Sequence, residues 1–470
     1  MKSLRLFFTI SALFLFHPTL ILAAQSVILE TVGIYNFQDL SKKTEIISIQ
    51  KSTQRMAVSC SSKGIVDILS ITTPSKPHFL HRFRVTDDRE ISSVAFHPTE
   101  NIFAVAVIHS DPFSAGSVQI HNADTGELLT TLAAGIHPDS LVFSPNGMYL
   151  VVANEGEAYR YAGRYYESPE GSVTHVSFED DLQNPIVTQI QLQDYTQIEG
   201  MLHRSHARTF PRNVIGGNSD EESEVPIKDN TPANTEPEYV AFAPDSSRAF
   251  VSLQENNGIL VIDMTTATIE KVFGLGMTEH LADNRDDGQV KFNKKLRALR
   301  EPDGIAVSPD GKFVLTADEG DTDPKASKVL GRKPAGGGRT LSVFDATTGT
   351  LVSDTGNQLD QMAHAAGLYP DGRSDNKGSE PESVVGFEIA GDLYAAVALE
   401  RANAIALVAL AEPEHPEVLS VEPVGPEAGS GTQYAPEGLA HYEQDGQHYI
   451  YSANEKSGTL TVMQIRTSEQ

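Results

Sequence analysis

Seven copies of one strand grammar run through this chain, and a repeat of that kind leaves few ways to fold. The clearest copy reads Glu301-Pro302-Asp303-Gly304-Ile305-Ala306-Val307-Ser308-Pro309, then Phe313-Val314-Leu315-Thr316-Ala317-Asp318-Glu319-Gly320, then Thr340-Leu341-Ser342-Val343-Phe344-Asp345. Each run is short, rich in Val, Ile, Leu and Phe, and bounded by turn residues such as Pro309-Asp310-Gly311, which predicts three strands per unit. His137-Pro138-Asp139 leads in the same way to Tyr149 through Glu155 and Gly171-Ser172-Val173, and Glu236-Pro237-Glu238 leads to Ala249 through Glu255 and Gly258 through Asp263. Glu380-Pro381-Glu382 leads to Leu393 through Glu400 and Ala404 through Val408, and Pro436-Glu437-Gly438 leads to Tyr449 through Glu455 and Gly458 through Val462. Degenerate copies stand at Thr44 to Leu69 and at Ser92 to Ile120.

Small antiparallel sheets cannot bury both faces alone. Radial packing solves this and protects the strand edges, so the expected fold is all-β, a single seven-bladed β-propeller over residues 25–470. A linear solenoid is the alternative; uneven spacing and meander-like units favour the ring. The spacing places insertions at about residues 179–235, 274–300, 320–338 and 353–379. The first is polar around Asn218 to Glu224 and Pro226 to Pro237 and reads as a long loop on one face.

Residues 1–24 carry the order of a secretory signal peptide: Lys2 and Arg5, the apolar run Leu6 to Phe16, then Ala23 and Ala24. His17 and Pro18 interrupt the run before the roughly 20 apolar residues that a membrane helix needs, so the mature chain is expected to have no membrane span. The other reading of this segment is a buried N-terminal strand. Lys and Arg total 36 against 63 Asp and Glu, a net charge of -27, which opposes binding to nucleic acid or anionic lipid. Cys60 is the single cysteine, so no internal disulfide, CxxC redox pair or thiolate zinc cluster can form. Together these predict an exported monomer, secreted, periplasmic or at the cell surface.

The repeat also orders the acids. In an antiparallel blade the first strand begins where the second ends, so an acid opening one and an acid closing the other share a side. The opening acids are Asp139, Glu236, Glu238, Glu301, Asp303, Glu380, Glu382 and Glu437; the closing acids are Glu155, Glu157, Glu255, Asp318, Glu319, Asp321, Glu400 and Glu455. Carboxylates crowded round one channel entrance repel, raise one another's pKa values or recruit cations. Hard oxygen donors without thiolates point to Ca2+, with Mg2+, Mn2+ or Fe3+ as the other hard-ion options. The plainer reading is that acidic turns are solvated surface. Asn154, Asn256 and Asn454, beside the closing acids, read either as further ligands or as strand caps.

Asn154-Glu155-Gly156-Glu157, Leu253-Gln254-Glu255-Asn256-Asn257, Asp318-Glu319-Gly320-Asp321, Asp371 through Glu382 and Leu399-Glu400-Arg401, in that order, resemble the choice-of-anchor I family. The similarity runs from about Gly33 to the C-terminus. It implies a secreted propeller of the YVTN-repeat type, related to mesenchyme-specific cell-surface glycoproteins and to bacterial members labelled alkaline phosphatase-like. Asp318 stands where the family usually has Asn, and Ser379 where it usually has Pro.

No Gly-x-Ser-x-Gly elbow and no Gly-x-x-x-x-Gly-Lys-Ser/Thr loop occurs, which opposes a serine hydrolase or a P-loop enzyme. His203 and His206 lack an obvious third zinc ligand, and Arg285 occupies a ligand position in the calcium-loop-like stretch Asp283 to Gly288. Two functions remain. One is a cation-binding scaffold that attaches to mineral, carbohydrate or a surface protein. The other is a metal-dependent phosphomonoesterase in which Arg373, Lys377 and Arg401 hold the phosphoester. The first is favoured because nothing singles out a nucleophile; the bland role of the three cations is to offset local negative charge.

Overall fold

The computed structural model describes residues 27–37, 44–85, 89–156, 159–161, 165–167, 169–178, 184–192, 215–216, 223–224, 235–254, 256–320, 336–426 and 430–467. The leader expected at 1–24 lies outside them, as do Glu157, Glu255, Asp321, His203 and His206.

Seven four-stranded antiparallel sheets form the seven blades. Their innermost strands are Thr44–Gln50, Ile91–Phe96, Pro138–Phe143, Pro237–Phe242, Ile305–Val307, Pro381–Ile389 and Pro436–Gln444, which number the blades 1 to 7. Each innermost strand meets the next, and that of blade 7 meets that of blade 1, so the linear alternative is excluded. Hydroxyl groups stitch the ring at its centre: Thr44 Oγ1 donates to Asn454 O at 3.1 Å, Ser92 Oγ to Pro138 O at 2.6 Å and Ser252 Oγ to Asp303 O at 3.2 Å.

Packing explains the repeat. Successive residues of a strand point to opposite faces, and both faces of each blade are covered. In the second strand of blade 6, Ala395, Val397 and Leu399 pack towards blade 5, while Ala396 and Ala398 pack towards blade 7. Seven apolar layers result, one between each pair of neighbouring blades. A strand buried on both sides reads as a continuous apolar run, which is why these segments stand out in the sequence.

Each blade has one strand more than the expected three. The fourth is outermost, half exposed and mixed in composition, as in His78–Arg84 of blade 1 and Thr268–Gly274 of blade 4. Blade 7 takes its fourth strand from the other end of the chain: Val27–Asn36 pairs antiparallel with Thr459–Thr467 and closes the ring. The insertion boundaries shift accordingly. Ile186–Gln191, inside the expected 179–235 insertion, is the outer strand of blade 3, and Leu351–Asp354 is that of blade 5. The 274–300 insertion contains a hairpin of Met277–Ala282 with Lys294–Leu299. The 353–379 insertion contains helix α1, Gln358–Ala365, whose Leu359 and Ala363 lie one helical turn apart and pack into the layer between blades 5 and 6.

Candidate metal centre

The turn into each innermost strand sets the site. Pro138, Pro237, Pro381 and Pro436 lie opposite Asn154, Leu253, Leu399 and Asn454, and the ladder slips immediately afterwards. Blades 1 and 2 slip at the same place, after Thr44 and Ile91. A bulge of this kind re-aims the side chain it carries. Just before the proline, His137, Glu301, Glu380 and Ala435 adopt left-handed backbone with φ of 49°, 45°, 55° and 54°. Non-glycine residues hold that conformation at a cost of about 1–3 kcal/mol, so it must be fixed by its surroundings. The carbonyls of His137, Glu380 and Ala435 accept the backbone N–H of Glu155, Glu400 and Glu455 at 2.9, 2.8 and 2.8 Å. Asn257 Oδ1 accepts Glu301 N at 2.9 Å, and Asn403 Oδ1 accepts Ala435 N at 3.2 Å. The same bonds therefore tie opening and closing acids to one mouth.

Register aligns the residue after the slip as Glu45, Ser92, Asp139, Glu238, Asp303, Glu382 and Glu437 in blades 1 to 7. Six of the seven are acids. Thr44-Glu45 lacks the proline that marks five of the other six copies, so no local signal picks out Glu45. The residue after the second strand aligns as Ser61, Ile108, Glu155, Gln254, Glu319, Glu400 and Glu455. In blade 4 that position therefore belongs to Gln254 and not to Glu255.

Blades 5 to 7 bring their acids closest. Carboxylate oxygens lie within 4.8 Å of one another in three overlapping groups: Asp303, Glu319 and Glu382; Glu380, Glu382 and Glu400; Glu400, Glu437 and Glu455. Gly304 permits this approach, since a Cβ there would come 2.5 Å from Glu382 O. Among the described residues, four cations are threaded among the acids. Arg373 Nε donates to Glu380 Oε1 at 2.7 Å, and Arg401 donates to Glu380 Oε2 at 3.3 Å and to Glu400 Oε1 at 2.9 Å. Lys377 bonds Glu319, and Lys456 bonds Glu400 at 3.1 Å. Gln254 Nε2 also donates to Glu319, at 2.9 Å.

Three acids receive no such partner. Among the described residues, no Lys, Arg or His nitrogen lies within 4.0 Å of a carboxylate oxygen of Asp303, Glu382 or Glu437. Their protonation reflects it. Burial, then Glu319, a hydrogen bond with Asp303 and the charges of Asp303 and Glu437 hold Glu382 well above the usual carboxylate range. Burial and the neighbouring Asp303, Glu400, Glu455 and Glu45 do the same to Glu437. Burial raises Asp303 against the opposing effects of the Glu382 hydrogen bond and Lys377, and it pushes Glu319 up to about 7 in spite of Lys377. Tyr239, on the innermost strand of blade 4, joins the same cluster. Its phenol is raised by burial and by Asp303, Asp139 and Glu437, and it is hydrogen-bonded to Ser383. No repeat signal marks Tyr239.

Other candidates sit apart from this cluster. Glu155 pairs with His137 at 3.0 Å. Glu236 and Glu301 are buried in the turns, where Glu236 N donates to Asn256 Oδ1 at 3.2 Å. Asp318 is not a mouth residue: it is fully buried within blade 5, accepting hydroxyl bonds from Thr316, Thr340 and Ser342 with Arg300 3.7 Å away. The corresponding Asn154 and Asn454 donate to Thr174 at 3.0 Å and to Thr461 at 2.9 Å, so these asparagines are blade caps. Asp283 likewise serves its own loop, accepting the backbone N–H of Arg285 and of Lys291 at 3.3 and 2.9 Å.

Comparison with solved structures supports the fold. The β-propeller domain of Myceliophteria thermophila Cps50 (Swd1) superposes with a TM-score of 0.53 at 8% identity, covering 93% of this chain and 100% of that one. Kuenenia stuttgartiensis hydrazine synthase gives 0.54 at 12% identity, covering 90% and 96%. No curated protein matches in sequence. The family model of the choice-of-anchor I domain matches residues 45–333 and 322–413, a span that takes in the turns, bulges and acids of blades 1 to 6, and the chain belongs to the choice-of-anchor I domain family.

Proposed function

We propose that this protein is a surface-associated binding module whose propeller mouth holds divalent cations, Ca2+ in the first instance, in the acidic groups to which Asp303, Glu382 and Glu437 contribute. The observation that carries this reading is that, among the described residues, three buried or half-buried carboxylates from three consecutive blades have no cationic partner, while Glu319, Glu380 and Glu400 beside them are ion-paired. The donor set fits a hard ion: every group is a carboxylate oxygen, flanked by Glu319, Glu400 and Glu455, with no thiolate or imidazole among the three sets. Bound Ca2+ would supply the positive charge that protons otherwise supply at these acids.

The leader-like residues 1–24 and the family support placement outside the cytoplasm, in the periplasm or at the cell surface, with a carbohydrate, a mineral face or a surface protein as partner. Phosphomonoester hydrolysis is the competing reading. It asks Arg373, Lys377 and Arg401 to take phosphate oxygens, yet each is ion-paired to a glutamate, which favours binding over catalysis.

Calorimetric titration of the chelator-treated protein with Ca2+, beside elemental analysis before that treatment, tests the reading. Wild type is expected to bind Ca2+, and Glu382→Gln and Glu437→Gln to weaken it at least ~10-fold, equivalent to about 1.4 kcal/mol. Absence of binding in wild type, or unchanged binding in both variants, overturns it. Turnover of a generic phosphomonoester by the metal-loaded protein, abolished by Glu380→Gln, transfers support to the enzyme.

A further inference from the structure

Lys377 is not placed as a surface lysine is. Its side chain is 19% exposed, its ammonium bonds Glu319, and it lies 3.9 Å from Glu380 Oε2. Its charge also acts on Asp303 and Glu382. It sits on the Asp303, Glu319 and Glu382 group, one of the three sets whose oxygens lie within 4.8 Å.

The segment that carries it is clamped by residues 336–339. A Cβ on Gly336 would lie 1.5 Å from Asn376 O, and one on Gly337 would lie 3.0 Å from Lys377 Cα, so a glycine run is what allows the two backbones to touch. Arg339, at the end of that run and almost wholly buried, donates through one terminal nitrogen to Ser374 O at 2.8 Å and to Asn376 O at 3.0 Å. The same guanidinium donates to Gly336 O at 2.9 Å and to Asp283 O at 2.9 Å and pairs with Asp360 at 3.4 Å, so one buried group locks the Lys377 loop to the glycine run, the Asp283 loop and helix α1. Fixing a lysine side chain costs up to about 2 kcal/mol of conformational entropy. That cost falls on delivering one ammonium to one corner of the mouth.

We infer that Lys377 is a tethered counter-ion: it occupies the Asp303, Glu319 and Glu382 corner as an internal cation and thereby lowers the affinity of the mouth for the divalent ion beside it. The inference rests on the cation-binding reading and adds the residue that tunes it. Like charges confined to a partly desolvated cluster repel strongly, so removing one should tighten ion binding by at least ~10-fold.

Full-length Lys377→Met, Lys377→Gln and Lys377→Arg are titrated calorimetrically with Ca2+, and the Ca2+-induced rise in the unfolding midpoint is measured for each. Lys377→Met is expected to bind at least ~10-fold more tightly than wild type and to show the larger midpoint rise, whereas Lys377→Arg, which keeps the charge, stays within about threefold. Lys377→Gln keeps a donor for Glu319, is expected to show the same tightening, and stands in where the methionine variant does not fold. If wild type binds and the neutral variants bind no more tightly, the inference falls and the cation reading stands. If only the neutral variants bind, the inference stands and the cation reading of the native mouth falls. If none binds, both fall.

Discussion

Asp318→Asn isolates one buried charge and tests how the blade interior is balanced. Asp318 is fully buried among three hydroxyl donors. Burial nonetheless raises its pKa from the ordinary 3.8 to about 6, with Arg300, Ser342, Thr340 and Thr316 opposing. A carboxyl raised in the folded state binds its proton more tightly there than in the unfolded chain. Its contribution to stability is therefore whole below 3.8 and is lost as pH climbs through about 6. That interval is worth about 3 kcal/mol at 1.36 kcal/mol per pH unit. Asparagine has the same shape and no such dependence, and Asn154 and Asn454 show that an amide satisfies the same hydroxyl positions in blades 3 and 7. The stability of Asp318→Asn minus that of wild type should thus grow by about 2–2.5 kcal/mol between about pH 4 and about pH 7.5, the rest of the interval lying below pH 4. Denaturant unfolding of both proteins at matched ionic strength measures it. Buried histidines titrate over the same range, but they are common to both proteins and cancel in the difference. A difference that stays flat, or moves towards wild type as pH rises, refutes the reasoning.

Two further outcomes follow from packing and protonation. Gly304→Ala places a methyl 2.5 Å from Glu382 O and 2.7 Å from Ser383 Cα, and backbone cannot yield as a side chain does. Denaturant unfolding should show a loss of about 1–3 kcal/mol, the range for overpacking, and a neutral result would mean that blades 5 and 6 are not held at fixed spacing there. His441 stacks on Phe387 with ring centroids 4.5 Å apart and bonds His448 at 3.0 Å; burial and His448 lower its pKa from 6.5 to about 3. Stability from the neutral ring is present above 6.5 and lost as pH falls towards 3, so at about pH 5 wild type has lost about 2 kcal/mol that His441→Phe keeps. Equal pH dependence of the two proteins would count against the burial of a neutral imidazole at this position.

The blades were legible because both faces of their inner strands are buried, which prints unbroken apolar runs such as Leu393 to Leu399. The outer strands were not. One side of His78–Arg84 meets solvent, so its composition resembles a loop, and Val27–Asn36 takes its meaning from partners at Thr459–Thr467, which no local pattern encodes. At the mouth, the proline before Asp139, Glu238, Asp303, Glu382 and Glu437 exposed the strand starts. Glu45 was missed for want of it. Counting along the chain put Glu255 where register puts Gln254, and put Asp318 at the rim when its side chain turns inward. Side-chain direction at a bulge depends on hydrogen-bond register, and register is a property of two strands at once. That Arg373 and Lys377 offset local negative charge was legible, but their particular partners, Glu380 and Glu319, depend on how an insertion returns to the ring.

The strand Val27–Asn36 makes the first and last described segments of the chain neighbours in blade 7. During synthesis the first of them must wait for nearly the whole polypeptide before it has anything to pair with, and closing so long a loop places this step late. Val27 faces Thr467 and Asn36 faces Thr459, so a pull on both ends opens the join as a zipper, one residue pair at a time. This pairing has to part before any other blade can be peeled, so the seam of blade 7 is where the domain first yields to force.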